Sequence, residues 1–205
     1  MKRIFSSGAA CFVSLTFVVA QDAAVPIGFV NAVGLTSKTD FKIDGQSLKP
    51  AGFGQGEYAS SFGLSEGSHR FAFLNGDCDK LEANIEIKKG SSPLYVLYNV
   101  RVPQKDGKVK NVLKLTGIPQ LPSHSGVHFF AFSTLEGRSA ELRINDQTGT
   151  FQPLKLTPLA DGSISIDSDA TRPVRIAPRE AGNYVVILYE GSDSRVRWAF
   201  IEMTH

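Results

Sequence analysis

The sequence predicts an all-β protein, two β-sandwiches in tandem behind a cleaved signal peptide, on three observations. Apolar and polar residues alternate in short runs, the period of half-buried strands. Gly, Pro, Asp and Ser separate those runs, and no stretch beyond the first twenty residues has a helical period. The pattern of the first half also returns in the second, as a repeated unit requires.

The elements follow in order. Residues 27–32 open the first half. In Asp40-Phe41-Lys42-Ile43 the two apolar residues share one face, and Asp44-Gly45 then suits the positive φ angles of a tight hairpin. Residues 57–64 and 68–74 flank a turn at Ser65-Glu66-Gly67. Leu81, Ala83, Ile85 and Ile87 keep strict period two. Residues 94–102 are apolar on both faces, which predicts a central strand. Residues 104–108 turn the chain into 109–115, and three lysines around Asp106-Gly107 read as a soluble hairpin tip. Residues 117–126 hold two prolines and two glycines without periodicity, and so predict a linker between domains at 24–116 and 127–205.

Strand signals resume at 127–133, 140–144, 151–156, 163–166, 173–176, 183–190 and 195–203. In the last, Val196, Trp198 and Phe200 face one way and Arg195 and Arg197 the other, which puts the tryptophan in a core. Phe29 to Ala32 and Phe41-Lys42-Ile43-Asp44 match Phe129 to Phe132 and Leu142-Arg143-Ile144-Asn145. Ile85, Ile87 and Tyr95-Val96 match Val174, Ile176 and Tyr184-Val185 at one constant offset. This order predicts a duplicated Ig-like antiparallel sandwich of about seven strands per copy. One larger sandwich is the competing arrangement.

Phe29-Val30-Asn31-Ala32, the Ile43-Asp44-Gly45 hairpin and the Leu64-Ser65-Glu66-Gly67-Ser68-His69 turn resemble a bacterial family of secreted domains of unknown function. Ala181-Gly182-Asn183-Tyr184 is similar to the small-residue-Gly corner of that family. The resemblance covers about half of the chain. It implies a secreted sandwich in a surface or envelope protein and supplies no catalytic residues.

Lys2 and Arg3 precede an uncharged, largely apolar run to Ala20, with Val18 and Ala20 as small residues before Gln21-Asp22. This predicts a secretory signal over residues 1–20. The run is too short, and too soon followed by polar residues, for a membrane span. Export to the periplasm, cell surface or medium is therefore expected, with no membrane span in the mature chain. Cleavage would remove two basic residues and leave 20 of each sign, a formal charge of zero. A neutral chain without a basic face predicts no nucleic-acid partner. Cleavage would also remove Cys11, which precedes the most apolar stretch and so does not fit a lipoprotein box. Cys78 would remain alone, unable to form an internal disulfide.

Each chemical motif has a plain alternative. Gly63-Leu64-Ser65-Glu66-Gly67 fits G-x-S-x-G, but that serine works at a strand-to-helix corner, and Ser68-His69-Arg70-Phe71 alternates as a strand does. No histidine among His69, His124, His128 and His205 has close metal-ligand spacing, and His69 and His128 are expected on outward strand faces. Asp77 with Asp79, and Asp167 with Asp169, pair carboxylates in loops but lack the ligand number of a calcium site. Cys78 between two aspartates is expected to be an inert thiol. No metal or cofactor is expected.

Phe53 and Tyr58, in a glycine-rich loop, are the candidate ligand-binding residues, as aromatics that stack on a sugar or dock a partner. The function expected is a non-catalytic binding or structural module whose partner is a protein or glycan of the cell envelope. The alternatives are a carbohydrate-binding module and a secreted hydrolase of unfamiliar type.

Overall fold

A computed structural model describes residues 24–203 except 123–124, 138, 146, 160, 168–173 and 179. The expected signal peptide, His124, Asp169 and His205 lie outside the described residues. Among the described residues every regular element is a strand.

The first half contains β1 (Val25–Ala32), β2 (Thr39–Ile43), β3 (Gln46–Ser47), β4 (Tyr58–Leu64), β5 (Gly67–Asn75), β6 (Leu81–Ile87), β7 (Leu94–Pro103) and β8 (Val109–Ile118). They form two four-stranded sheets, ordered β4-β1-β7-β8 and β3-β2-β5-β6. The second half contains β9 (Val127–Ser133), β10 (Ala140–Ile144), β11 (Gln147–Phe151), β12 (Leu156–Pro158), β13 (Ile164–Asp167), β14 (Val174–Ile176), β15 (Gly182–Glu190) and β16 (Val196–Met203). Its sheets run β12-β9-β15-β16 and β11-β10-β13-β14, the same pairing scheme eight strands later. β1–β7 and β9–β15 pair in parallel, and the other pairs are antiparallel.

The register repeats as well. Phe29 lies opposite Tyr95, and Phe129 opposite Tyr184. Ile43 lies opposite Phe71, and Ile144 opposite Ile166. The residue after each of these isoleucines enters the hairpin at positive φ, 50° at Asp44 and 48° at Asn145. Asp and Asn tolerate that left-handed conformation better than other non-glycine residues.

Three apolar layers separate the four sheets. Phe29 and Leu97 from one sheet meet Phe41, Phe71 and Phe73 from the other in the first half. Phe41 stacks on Phe73 with centroids 4.5 Å apart, and Phe53 meets Phe29 edge-on at 5.1 Å. Phe129, Tyr184 and Val186 meet Leu142, Ile164 and Ile166 in the second half, and Val196, Trp198 and Phe200 pack at the margin of this layer. The third layer joins the halves. Val30, Ala32, Val96 and Tyr98 on the far face of the β1/β7 sheet pack with Phe132, Val185, Ile187 and Tyr189 on the far face of the β9/β15 sheet. Strands 1, 7, 9 and 15 are thus covered on both faces. Such strands need apolar residues at successive positions rather than at alternate ones.

Three expectations change. Among the described residues each half has eight strands, because two short hairpin strands, β3 and β11, carry too little apolar pattern to be read. The strand expected over 151–156 divides. The chain leaves β11 at Phe151, passes Leu154 at φ 55° and enters β12 in another sheet, so this is a corner between layers. Gly117 and Ile118 belong to β8, opposite Tyr95 and Leu94, so the expected linker begins two residues later.

Replacing Ile187 by Ala removes a fully buried side chain from the layer between the halves. It should cost about 2–5 kcal/mol. Urea unfolding followed by far-ultraviolet circular dichroism should show the loss, with an essentially unchanged native spectrum.

Candidate functional site

The sequence did not disclose a cleft that forms where the halves meet. β7 and β8 are each ten residues long, and their tip overhangs the first sandwich. One wall is this hairpin, through Asn99, Arg101, Val102, Val112 and Lys114. The other wall comes from the second half, through Thr134, Leu135 and Glu136 after β9 and Glu190 and Gly191 at the end of β15. The cleft holds about 430 Å³. Junctions between packed units are common places for ligand sites.

Polar groups cross the junction. Tyr98 donates its hydroxyl to Glu136 Oε1 at 2.6 Å, and Lys114 Nζ donates to Glu136 Oε2 at 2.6 Å. Burial raises the Glu136 pKa, but the bonds from Lys114 and Tyr98 outweigh it and hold the carboxyl below its ordinary value. Burial, then the bond to Glu136, pushes the Tyr98 phenol up, so it stays protonated and a donor. Arg101 reaches Glu190 Oε1 at 3.4 Å and Ser194 Oγ at 3.3 Å. Gly34 follows β1, and its N–H donates to Asn99 Oδ1 at 2.8 Å. A Cβ on Gly34 would stand 1.7 Å from the Glu190 carbonyl oxygen, so only glycine lets these backbones approach.

A second constellation has the outline of a hydrolytic triad. His69 Nδ1 lies 2.6 Å from Asp44 Oδ2, and His69 Nε2 lies 3.3 Å from Ser65 Oγ. The same Nε2 is closer, at 2.9 Å, to the Ser65 carbonyl oxygen, which can only accept. Nδ1 faces a carboxylate that also only accepts, so the geometry is fully satisfied when both ring nitrogens donate, that is, as imidazolium. In that state the ring has no lone pair with which to take the serine proton, as a general base must. Burial lowers the His69 pKa, but the bonds to Asp44 and the Ser65 carbonyl and the charges of Asp44 and Glu86 raise it further, leaving it above 6.5. The bond from His69, then that from the Arg70 N–H, hold Asp44 below its ordinary value.

The second half explains this cluster. Asp44 brackets Arg70 through the Arg70 N–H on Oδ1 and its own N–H on the Arg70 carbonyl. Asn145 brackets Ser165 in the same way. The bracket is a structural part of both hairpins, and Ile164 stands where the first half has His69. Contrary to expectation, His69 faces inward, on the same side of β5 as Phe71 and Phe73, at the open end of the sandwich. His128 is half-buried and shares its strand face with Phe130 and Phe132, 2.9 Å from Asp161, so it too departs from the outward placement.

The two candidate ligand residues part company. Phe53 is 3% exposed in the first core, drawn in by backbone pairing with Thr39, whereas Tyr58 is 51% exposed. They form no joint platform, and Phe53 offers no surface for stacking. Asp77 accepts from the Ser37 N–H, and Asp79 pairs with Lys110. Burial, then Asp77 and Asp79, push the Cys78 thiol up to about 11, the direction its neighbours foretell. The cleft residues escaped sequence reading because they come from five separate segments, at the end of β1, in β7, in β8, after β9 and at the end of β15.

No protein-family model matches this chain, and no curated protein does.

Three outcomes are expected. Gly34→Ala should lower the melting temperature markedly, since the added methyl has rigid backbone in front of it. In an NMR titration the His69 midpoint should lie above 6.5, and Asp44→Asn should bring it down. A raised histidine pKa stabilises the fold below pH 6.5, and that contribution fades as pH rises through the folded-state value. Cys78 should alkylate slowly at neutral pH, its rate rising toward pH 11.

Proposed function

We propose that this is an exported, non-catalytic binding and structural protein of the cell envelope or extracellular space. In this reading residues 1–20 are a signal peptide removed after Ala20, and the two halves are duplicated Ig-like sandwiches descended from one unit. The observation that carries it is the shared apolar layer, which fixes the halves together so that their junction presents one constant cleft. A rigid cleft recognises a ligand by shape and placed polar groups, with little ordering cost on binding. The bonding of His69 supports a non-catalytic role, because both ring nitrogens face acceptors and the triad-like cluster then lacks a base. The partner in this reading is a protein or glycan of the envelope.

A second reading, a carbohydrate-binding module, draws on the second sandwich. There Phe200, half-buried, stacks on the buried Tyr184 with planes 4° apart and centroids 5.3 Å apart, which leaves Phe200 as the ring at the surface. Arg175, Glu180 and Glu202 border a shallow slot beside them. Planar aromatic carbon flanked by charged hydrogen-bonding groups suits a sugar ring.

The test is to express the full chain in a bacterial host, fractionate the cells and sequence the amino terminus of the product. Exported product beginning at Gln21 is expected; full-length product held in the cytoplasm would sink the reading. A glycan array then separates the two binding readings, since only the carbohydrate module requires signal that Phe200→Ala abolishes.

A further inference from the structure

We infer that the junction cleft binds a monoanionic carboxylate carried on an apolar stem, with Arg101 as the group that meets it. This rests on the reading of the cleft as a ligand site and specifies the ligand's chemistry.

Several of the cleft's polar groups are already engaged. Both Glu136 oxygens are engaged, by Tyr98 and Lys114 at 2.6 Å each. Asn99 Oδ1 is taken by the Gly34 N–H, and Thr134 Oγ1 donates to the Leu188 carbonyl. Glu190 Oε1 faces Arg101 at 3.4 Å. Among the described residues the larger remaining capacity is on the donor side. Lys114 has three N–H groups and is 43% exposed, and Arg101 is 51% exposed. A donor-rich cleft calls for an acceptor-rich ligand.

Arg101 is also the most readily recruited. Its contacts at 3.4 and 3.3 Å are longer than the about 2.7–2.9 Å of a full charge-assisted hydrogen bond. Turning the fork toward a better-placed carboxylate therefore gives up little. The guanidinium matches a carboxylate or a phosphate equally in shape, so charge and wall chemistry must decide. Among the described residues Glu136 and Glu190 stand in the same cleft as Arg101 and Lys114, two charges of each sign, which penalises a dianion more than a monoanion. Val100, Val102, Pro103, Val112 and Leu135 give it aliphatic walls, which favour a ligand with a hydrocarbon body. Both considerations select a carboxylate over a phosphate. The carboxylate comes either from a free organic acid or from the C-terminus of an apolar peptide.

The experiment is an NMR shift titration of the full exported chain with hexanoate, hexanamide, hexyl phosphate, and a short apolar peptide as free acid and as amide. Hexanoate, the free-acid peptide, or both should shift Arg101, Lys114 and Val112, and the amides should not; which acid binds tells the source. Arg101→Gln should weaken binding about tenfold or more, and Arg101→Lys should restore only part. Glu190→Gln should tighten it several-fold, because it removes the carboxylate that competes for Arg101, a gain that no misfolded variant would produce. Equal shifts from hexanamide would keep the cleft as a ligand site and overturn the carboxylate assignment. Tighter binding of hexyl phosphate, or weaker binding in Glu190→Gln, would overturn it as well. No shift from any probe would overturn both this inference and the ligand-site reading beneath it.

Discussion

The apolar layer between the β1/β7 sheet and the β9/β15 sheet is the constraint on which the rest of the molecule depends. A sandwich on its own needs one apolar face per sheet, and its outer faces can meet water. Here one sheet of each half turns its outer face to the other half, through Val30, Val96 and Tyr98 on one side and Val185, Ile187 and Tyr189 on the other. Fully burying a side chain of this size stabilises by about 1.5–3 kcal/mol, so a layer of more than ten buried residues outweighs any surface ion pair at the junction. The halves are therefore held by area, and the polar groups at the rim set direction.

That division of labour explains the cleft. Because the sheets use equivalent faces, the layer would be nearly symmetric if both halves ended alike. They do not. The β7–β8 hairpin runs past the layer to its turn at residues 104–107, while β15 and β16 close within residues 191–194. The overhang leaves Val100, Val102 and Val112 facing the second half across a gap too polar at its floor to close. Glu136 is drawn into that gap by Tyr98 and Lys114, and Gly34 lets the floor come together with no side chain between the backbones. The cleft is thus the visible difference between two copies of one pairing scheme.

The same comparison separates scaffold from ornament elsewhere. Asp44 and Asn145 make one bracket at one positive-φ hairpin, so the acid at residue 44 is explained by folding alone. His69 is the added part, and its two donor nitrogens make it a clamp between the β2–β3 and β4–β5 turns. Phe53 tells a related story. A glycine-rich loop reads in sequence as presenting its aromatics to solvent, but backbone pairing with Thr39 folds the loop back and seats the ring against Phe29.

By itself the sequence determined the all-β class, most strand positions, the correspondence of Phe29 with Phe129 and of Tyr95 with Tyr184, and the chemical dullness of Cys78. These follow from local period, turn residues and near neighbours, which travel with the chain. The β7 segment could be read as central because it is apolar on both faces. What lay against its outer face could not be read, since apolarity records burial without naming the partner. Only the tertiary structure decided that the two halves share a core, that His69 turns inward, that Phe53 is buried while Tyr58 is not, and that five separate segments enclose a cleft. Each of these depends on residues far apart in the chain meeting across layers, and no periodicity within one segment encodes such a meeting.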